Sequence, residues 1–351
     1  MPSAPASRIP HSRPCFSVED RQAVLDVLDR AHPAAGPVVE RFEKSLGTAC
    51  GRPFATATSS GTAALHLALL ALGARAGTPV AFPSYVCAAV LHAIRYTGAD
   101  PVPLDVDPRT GNLPGTPVRG ARILVVPHLF GLPAPVADLS QGGADLVEDC
   151  AMCLGTSASG RPVGSWGRLS IASTYATKMI ATGHGGAALT DDPALAEFLR
   201  DRVRYDEQPR DAVRYAYRMS DLAAALGCGQ VARLGAFVRA RRERAEAYRL
   251  RLAGGPWDLP PSDATHAYHR FVLSVRGGAE DLIGRARTEG IEMKRPVYLP
   301  AHRYLGLPDK QFPGASEAWE RNVSIPIYPD LTPAEQDRVI ACLLDWAKSR
   351  E

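Results

Sequence analysis

From about residue 55 to 190 the chain alternates short apolar runs with amphipathic stretches of helical period. The runs at 80–82, 102–105, 123–127, 146–149, 169–175 and 187–190 are too short for helices, and they predict buried strands. Helices are predicted before and after the first of them, at 62–72, ended by Gly73, and at 85–96, ended by Gly98. Strands alternating with helices predict a mainly parallel sheet with both faces covered. A ligand of such a sheet sits at the carboxyl ends of its strands.

After Asp191 the pattern changes. Helices are predicted at 193–205 and 220–253, the second interrupted by Gly227, Gly229 and Gly235. A Gly-Gly-Pro linker at 254–261 precedes a predicted strand at 268–275, a helix at 280–288 and a further strand at 291–298. Thr332-Pro333, a cap followed by proline at the first helical position, opens a closing helix. These elements predict a large α/β domain over 16–205 and a smaller α+β domain over 206–351, reached by a helical connection. Residues 1–15 begin rich in Pro, Ala and Ser without an apolar core, and read as a loose tail.

At 351 residues the chain is long enough for two domains. Its 40 Lys and Arg against 37 Asp and Glu leave a formal charge of +3, too small and too dispersed for a nucleic-acid footprint. The Arg-rich run 239–251 alternates with acids and alanines, as a solvated helix face does. Seven cysteines, an odd number scattered through apolar stretches, fit reduced thiols of a cytoplasmic protein better than a disulfide framework. Cys150 and Cys153 form a CxxC, but no second pair or histidine cluster completes a metal site, so no metal is expected. No apolar run approaches a bilayer span, and no membrane partner is expected.

Three segments carry chemistry. Ser60, Gly61, Thr62 and Ala63 open a strong helix, where free N–H groups attract an anion, although Ser60 as a plain N-cap reads equally well. Leu146-Val147-Glu148-Asp149 is a strand ending in acids; one such carboxylate can pair with a protonated ring nitrogen, or simply cap the next turn. The third runs from Ser173 to Lys178, ahead of Gly183-His184-Gly185-Gly186. An amine held there, desolvated and amid flexible backbone, can form a Schiff base with an aldehyde. Anion cradle, carboxylate and lysine, in that order on one α/β sheet, make the constellation that holds pyridoxal 5′-phosphate (PLP).

At these residues the chain resembles the DegT/DnrJ/EryC1/StrS group, the sugar-aminotransferase-like branch of fold-type I PLP enzymes. The matching stretches include Ser60-Gly61-Thr62-Ala63-Ala64-Leu65, Pro83-Ser84-Tyr85, His128-Leu129-Phe130-Gly131, Glu148-Asp149-Cys150-Ala151 and Thr177-Lys178. Further on come Tyr217-Arg218-Met219-Ser220-Asp221-Leu222 and Ser324-Ile325-Pro326-Ile327-Tyr328-Pro329. The resemblance implies that Lys178 binds the cofactor and shuttles protons, that Asp149 pairs with the ring nitrogen, and that Thr62, Ala63 and Ser173 hold the phosphate. It also implies a homodimer with active sites at the subunit interface, Arg218 reaching the partner's phosphate. The expected reaction moves an amino group from an amino acid, usually glutamate, to a keto-sugar in a biosynthetic, secondary-metabolite pathway such as antibiotic formation.

Four positions depart from the family pattern. Cys87 stands where an aromatic ring usually stacks on the cofactor, and Met152 where Gln or His follows the cofactor Asp. Ala216 replaces an Asn, and His184 an acid in the glycine turn. Cys and Met are polarizable and still pack on a ring, so both remain cofactor contacts in this reading. The replacements favour, as alternatives, a non-sugar or nucleoside-like carbonyl acceptor. A PLP-dependent sugar dehydratase and a non-catalytic regulator on the same fold are further rivals, both opposed by the intact Lys178. His128, His184, Arg295, Tyr298 and His302 are candidate substrate contacts, with His269 a further one; Arg295 offers a fork for a carboxylate or phosphate.

Overall fold

The computed structural model describes residues 8–30, 33–206 and 208–350. Twelve strands are described. In chain order they are β1 Phe54–Thr58, β2 Pro79–Pro83, β3 Asp100–Leu104, β4 Ile123–Pro127, β5 Asp145–Asp149, β6 Ser157–Ala158 and β7 Arg161–Pro162. There follow β8 Leu169–Ser173, β9 Gly186–Thr190, β10 Trp257–Asp258, β11 Phe271–Val275 and β12 Asn322–Ile325. The α-helices are α1 Val18–Asp29, α2 Pro37–Cys50, α3 Gly61–Ala71, α4 Ala88–Tyr96, α5 Val136–Leu139 and α6 Pro193–Val203. They continue as α7 Asp221–Ala232, α8 Leu234–Leu252, α9 Ala279–Thr288, α10 Ala301–Tyr304, α11 Pro313–Arg321 and α12 Pro333–Lys348.

Seven strands form the main sheet in the order β1-β9-β8-β5-β4-β2-β3. Only β9 runs against its neighbours; every other pairing is parallel. Both faces are covered, and alternation along β4 shows it: Ile123 and Val125 join the apolar cluster of α3 and α4, Leu124 and Val126 that of α2 and α7. An antiparallel β8–β9 pair needs no crossover helix, so residues 174–185 form a short connection over the carboxyl end of the sheet. That connection carries Lys178. Strand ends β1, β5 and β8 deliver Ser60, Asp149 and Ser173 to the same edge.

The small three-stranded sheet, in the order β10-β11-β12, backs onto α9 and α12 around Phe271, Leu273, Ile325 and Trp346. Thr332 caps α12 in a reciprocal box with Glu335, as the Thr-Pro start predicted. Among the described residues no helix is long and apolar enough to cross a membrane.

Several expectations change. Residues 8–15 are no loose tail. Ile9 is fully buried, its N–H donates to the Gly290 carbonyl at 2.9 Å, and its carbonyl accepts from Glu292 N–H at 3.0 Å. Arg13 pairs with Glu335 at 2.7 Å, so the segment straps the small domain; residues 1–7 lie outside the described residues. The expected strand at 291–298 shrinks to isolated bridges, Ile291 with Ile9 and Lys294 with Ser324. Pro296 and Pro300, lacking N–H donors, cannot extend a ladder. The 85–96 helix begins only at Ala88, and the 220–253 helix divides at Arg233.

The cores also separate later than residue 205. α7 packs with α1 and α2 in the large domain, and α8 spans both: Leu234, Phe237 and Val238 face one core, Ala245, Tyr248 and Leu252 the other. The glycines of α7 mark close helix packing. A Cβ on Gly227 would lie 2.6 Å from the Phe42 ring, and one on Gly229 would run into the Asp20 carboxylate. Gly227→Ala is expected to lower stability by about 1–3 kcal/mol through this overpacking, read as a lower midpoint in denaturant unfolding; an unchanged midpoint would show that the α2–α7 contact gives way freely.

Candidate active site

A cavity of ≈ 510 Å³ opens at the carboxyl end of the sheet, and its lining includes Ser60, Thr62, Cys87, Asp149, Ser173, Lys178 and His184. Segments separated by more than a hundred residues in sequence therefore meet in one space. α3 enters with its N-terminus toward it. Ser60 Oγ accepts the Ala63 N–H at 3.1 Å, and the Ala64 N–H is taken by the Ser60 carbonyl. The amides of Gly61 and Thr62 have no acceptor among the described residues. Unpaired first-turn donors on an eleven-residue helix attract an anion through both hydrogen bonding and the helix dipole. Ser60 is thus an N-cap, and the unpaired amides beside it leave room for the anion cradle as well.

Gly61 also serves packing. A Cβ there would lie 2.7 Å from Ser173 Cβ, and one on Gly186 would lie 2.6 Å from Gly61 N. The glycines let α3 press against β8 and β9, which brings Ser173 beside the helix N-terminus.

Asp149 ends β5, paired with Pro127 of β4 and Ile171 of β8. Its Oδ1 accepts the Ala151 N–H at 3.0 Å. Burial pushes its carboxyl above the usual range, against the pull of the Lys178 ammonium and the Ala151 N–H. Lys178 is held below the usual lysine range by burial, with Arg270 adding to the effect and Asp149 and Cys87 opposing it. A depressed lysine presents more free amine near neutral pH, the state in which nitrogen attacks a carbonyl. Cys87, the residue before α4, is exposed on the cavity wall, and His184 stands at the mouth with its ring edge-on to Tyr175, centroids 5.2 Å apart.

Other candidates fall outside the cavity. His128 is buried under the sheet edge: its Nδ1 accepts the Ala134 N–H at 3.0 Å, so its Nε2–H donates to Glu148 Oε2 at 3.1 Å. Glu148, fully buried, also accepts amides of Gly164, Trp166 and Gly167. Burial raises its carboxyl, but His128 and these amides outweigh that and hold it below the usual range. His302 is likewise buried, between Ser84 Oγ at 2.6 Å and Asp309 Oδ1 at 2.9 Å, and stacked on Phe312. Arg295 is engaged by Glu280 at 2.6 Å, by the Trp319 carbonyl and by the Trp319 ring, so its fork is not free for a substrate. Tyr298 points to solvent, 86% exposed.

Met152 packs on the α3–α4 apolar cluster and is absent from the cavity lining. Arg218 donates to the Val203 carbonyl at 3.1 Å, lies over the Tyr205 ring and lines an outer groove beside α2. Cys150 and Cys153 are buried thiols, the latter pushed up to about 12 by burial. One residue gains from the structure. His269 is buried, with Nε2–H on the Thr177 carbonyl at 3.0 Å, directly before Lys178, and its Nδ1 has no partner. Only its position next to a strand hinted at this in sequence.

Anion cradle, carboxylate and depressed amine in one cavity match the phosphate, ring nitrogen and aldehyde of PLP. Comparisons with known proteins agree. Residues 14–344 match the model of the DegT/DnrJ/EryC1/StrS aminotransferase family. The chain is 31% identical to the spore coat polysaccharide biosynthesis protein SpsC of Bacillus subtilis, with 98% of each chain covered. It superposes on the aminotransferase TlmJ of Streptoalloteichus hindustanus with TM-score 0.91 and 27% identity, covering 98% of this chain and 100% of that one. Spr1654 of Streptococcus pneumoniae, solved in its PLP form, shares the fold with TM-score 0.90 at 21% identity, over 97% of this chain and 99% of that one.

His128→Ala and His302→Ala are each expected to cost about 1–3 kcal/mol of stability, because each leaves buried partners unsatisfied, while cofactor loading at low temperature persists. Calorimetric unfolding together with absorbance of the loaded protein checks this; a variant that folds as tightly as the parent yet loses the cofactor would return that histidine to the active site.

Proposed function

The chain belongs to the DegT/DnrJ/EryC1/StrS aminotransferase family, and from that membership we propose that it aminates a keto-sugar in a biosynthetic pathway. It is a PLP-dependent aminotransferase. The observation that carries the reading is the placement of Lys178 and Asp149 on one cavity beside the α3 N-terminus. The sugar acceptor rests on the likeness to SpsC, a polysaccharide biosynthesis protein. Glutamate as donor and a secondary-metabolite setting complete the proposal.

When bound, PLP supplies an aldehyde that accepts an amine and a ring that delocalises an electron pair. The residues that would hold it are Ser60, Gly61, Thr62, Ala63 and Ser173 at the phosphate, Asp149 at the ring nitrogen and Cys87 on the ring's side. Asp149, as carboxylate, keeps a proton on that nitrogen by charge pairing. Lys178 Nζ would take the proton from the donor's α-carbon and deliver it to the cofactor carbon beside it, and would carry a proton the opposite way, to the acceptor carbon, in the second half-reaction. Burial serves this step, since it lowers the cost of removing the proton from Nζ. His269, fixed on the Thr177 carbonyl, holds the backbone that presents Lys178. His184 and Tyr175 at the mouth meet the substrate.

The proposed assembly is a homodimer in which Arg218 reaches the partner's phosphate; within its own chain Arg218 is directed away from the cavity, toward an outer groove. A second reading, amination of a non-sugar or nucleoside-like carbonyl, is favoured by Cys87, whose small side chain leaves room on the cavity wall. Retention of Lys178 argues against sugar dehydration and against a non-catalytic role.

Purified protein loaded with PLP is expected to be yellow, and glutamate is expected to bleach the visible band; a colour that persists with every amino acid tried would defeat the proposal. Lys178→Ala is expected to reduce turnover by roughly a hundred- to ten-thousandfold or more, with the unfolding transition retained. Screening nucleotide-linked keto-sugars and nucleoside carbonyls with the aminated cofactor form, read by mass, separates the two acceptor classes.

A further inference from the structure

A second cavity, of ≈ 320 Å³, lies where the large and small domains meet, and it shares no lining residue with the Lys178 cavity. One wall comes from the turn at 108–110 and from Leu129, Phe130 and Leu132 of the large domain. The other is the outer face of β11, where Arg270, Val272 and Ser274 alternate with Phe271, Leu273 and Val275 of the small-domain core. Two backbone bonds join the walls: Ala267 N–H to the Gly131 carbonyl at 2.7 Å and Arg270 N–H to the Phe130 carbonyl at 3.0 Å. Phe130 holds φ at 60°, a costly conformation for a bulky residue, and a Cβ on Gly131 would lie 2.7 Å from His269 N. The junction is built tightly around this space.

Its charges are unequal. Arg321 is matched by Glu317 at 2.7 Å and Asp258 at 3.1 Å. Arg270 is not matched. Its guanidinium makes one hydrogen bond, Nη1 to His11 Nδ1 at 2.8 Å, and no carboxylate lies within ion-pair reach among the described residues. Because its Nδ1 accepts from Arg270, His11 is the neutral tautomer, with Nε2–H facing Ser324 Oγ, and it supplies no counter-charge. Burial brings Arg270 down to about 10, with only Glu292 pulling the other way. At the exposed rim, Arg109 also has no side-chain partner among the described residues. A half-buried cation without a counter-ion is costly, and an apolar side chain of similar size would serve packing better. Guanidinium forks match the geometry of carboxylate and phosphate, while Phe130, Leu259, Pro260 and Val272 offer apolar walls to the rest of a ligand.

We propose that this interdomain cavity is a second ligand site, binding the oxyanion of a small organic acid or phosphoester on Arg270 and Arg109. The acid group lies against the Arg270 fork, and Arg109 closes over it from the large-domain turn. Binding there bridges the two domains, so the ligand favours the arrangement in which they meet.

Isothermal titration of the PLP-loaded holoenzyme tests this with inorganic phosphate and, separately, succinate. The loaded protein is used because PLP occupies the anion cradle of α3. At least one acid is expected to bind saturably; preference for phosphate points to a phosphoester ligand and preference for succinate to a carboxylic acid. Arg270→Met and Arg109→Ala are each expected to weaken binding about tenfold or more, whereas His184→Ala, at the other cavity, leaves it unchanged. No binding of either acid, unchanged affinity in the arginine variants, or loss in His184→Ala would overturn the proposal. Should Arg270→Met fail to fold, Arg109→Ala, on an exposed turn, decides alone.

Discussion

The buried carboxylate of Glu148 is the interaction on which the site's frame depends. It takes the His128 ring from the loop after β4 and three amides from the loop before β8, so one side chain ties three neighbouring strands together at their ends. An ion with this many charge-assisted hydrogen bonds tolerates burial; with fewer it would not. The next residue along β5 is Asp149, and strand alternation sends its carboxylate to the opposite side of the strand from Glu148. Fixing Glu148 therefore fixes Asp149, the carboxylate of the Lys178 cavity.

The same edge gathers the remaining chemistry by close packing. Small residues at Gly61, Gly186 and Ser173 allow α3 to touch β8 and β9, which sets an anion-binding helix end beside the lysine connection. From the other side His269, on the approach to β11, reaches across to the Thr177 carbonyl. The lysine connection thus lies between a large-domain helix end and a small-domain histidine, and burial there holds the Lys178 amine below its usual range. Arg270, the next residue, faces the second cavity. Alternation along one strand gives adjacent residues to two different sites.

Much of this was legible in the chain. Buried parallel strands declare themselves as short apolar runs because both faces of each strand are covered, and 123–127, 146–149 and 187–190 were read within a residue or so of their observed bounds. α1 and α2 escaped because their apolar residues share faces with α7 across a long stretch of sequence. The 291–298 segment misled for a different reason: its apolar content is real, but prolines deny it a ladder. The strap at 8–15 is short and proline-flanked, and it owes its order to backbone pairing with 290–292 rather than to any pattern of its own.

The sequence by itself determined the class of chemistry, since a cradle of small residues, a strand-end acid and a lysine among glycines are properties of residue type and order. It also determined the sheet, because apolar periodicity is local. Only the tertiary structure decided which polar side chains were free to act. His128, His302 and Arg295 look available on the page of a sequence, yet each is consumed by partners 15 to 218 residues away. Hydrogen bonds and ion pairs form through space, and their energy depends on burial that no local pattern records. For the same reason the spare cation at Arg270 emerged only when its neighbours were in place.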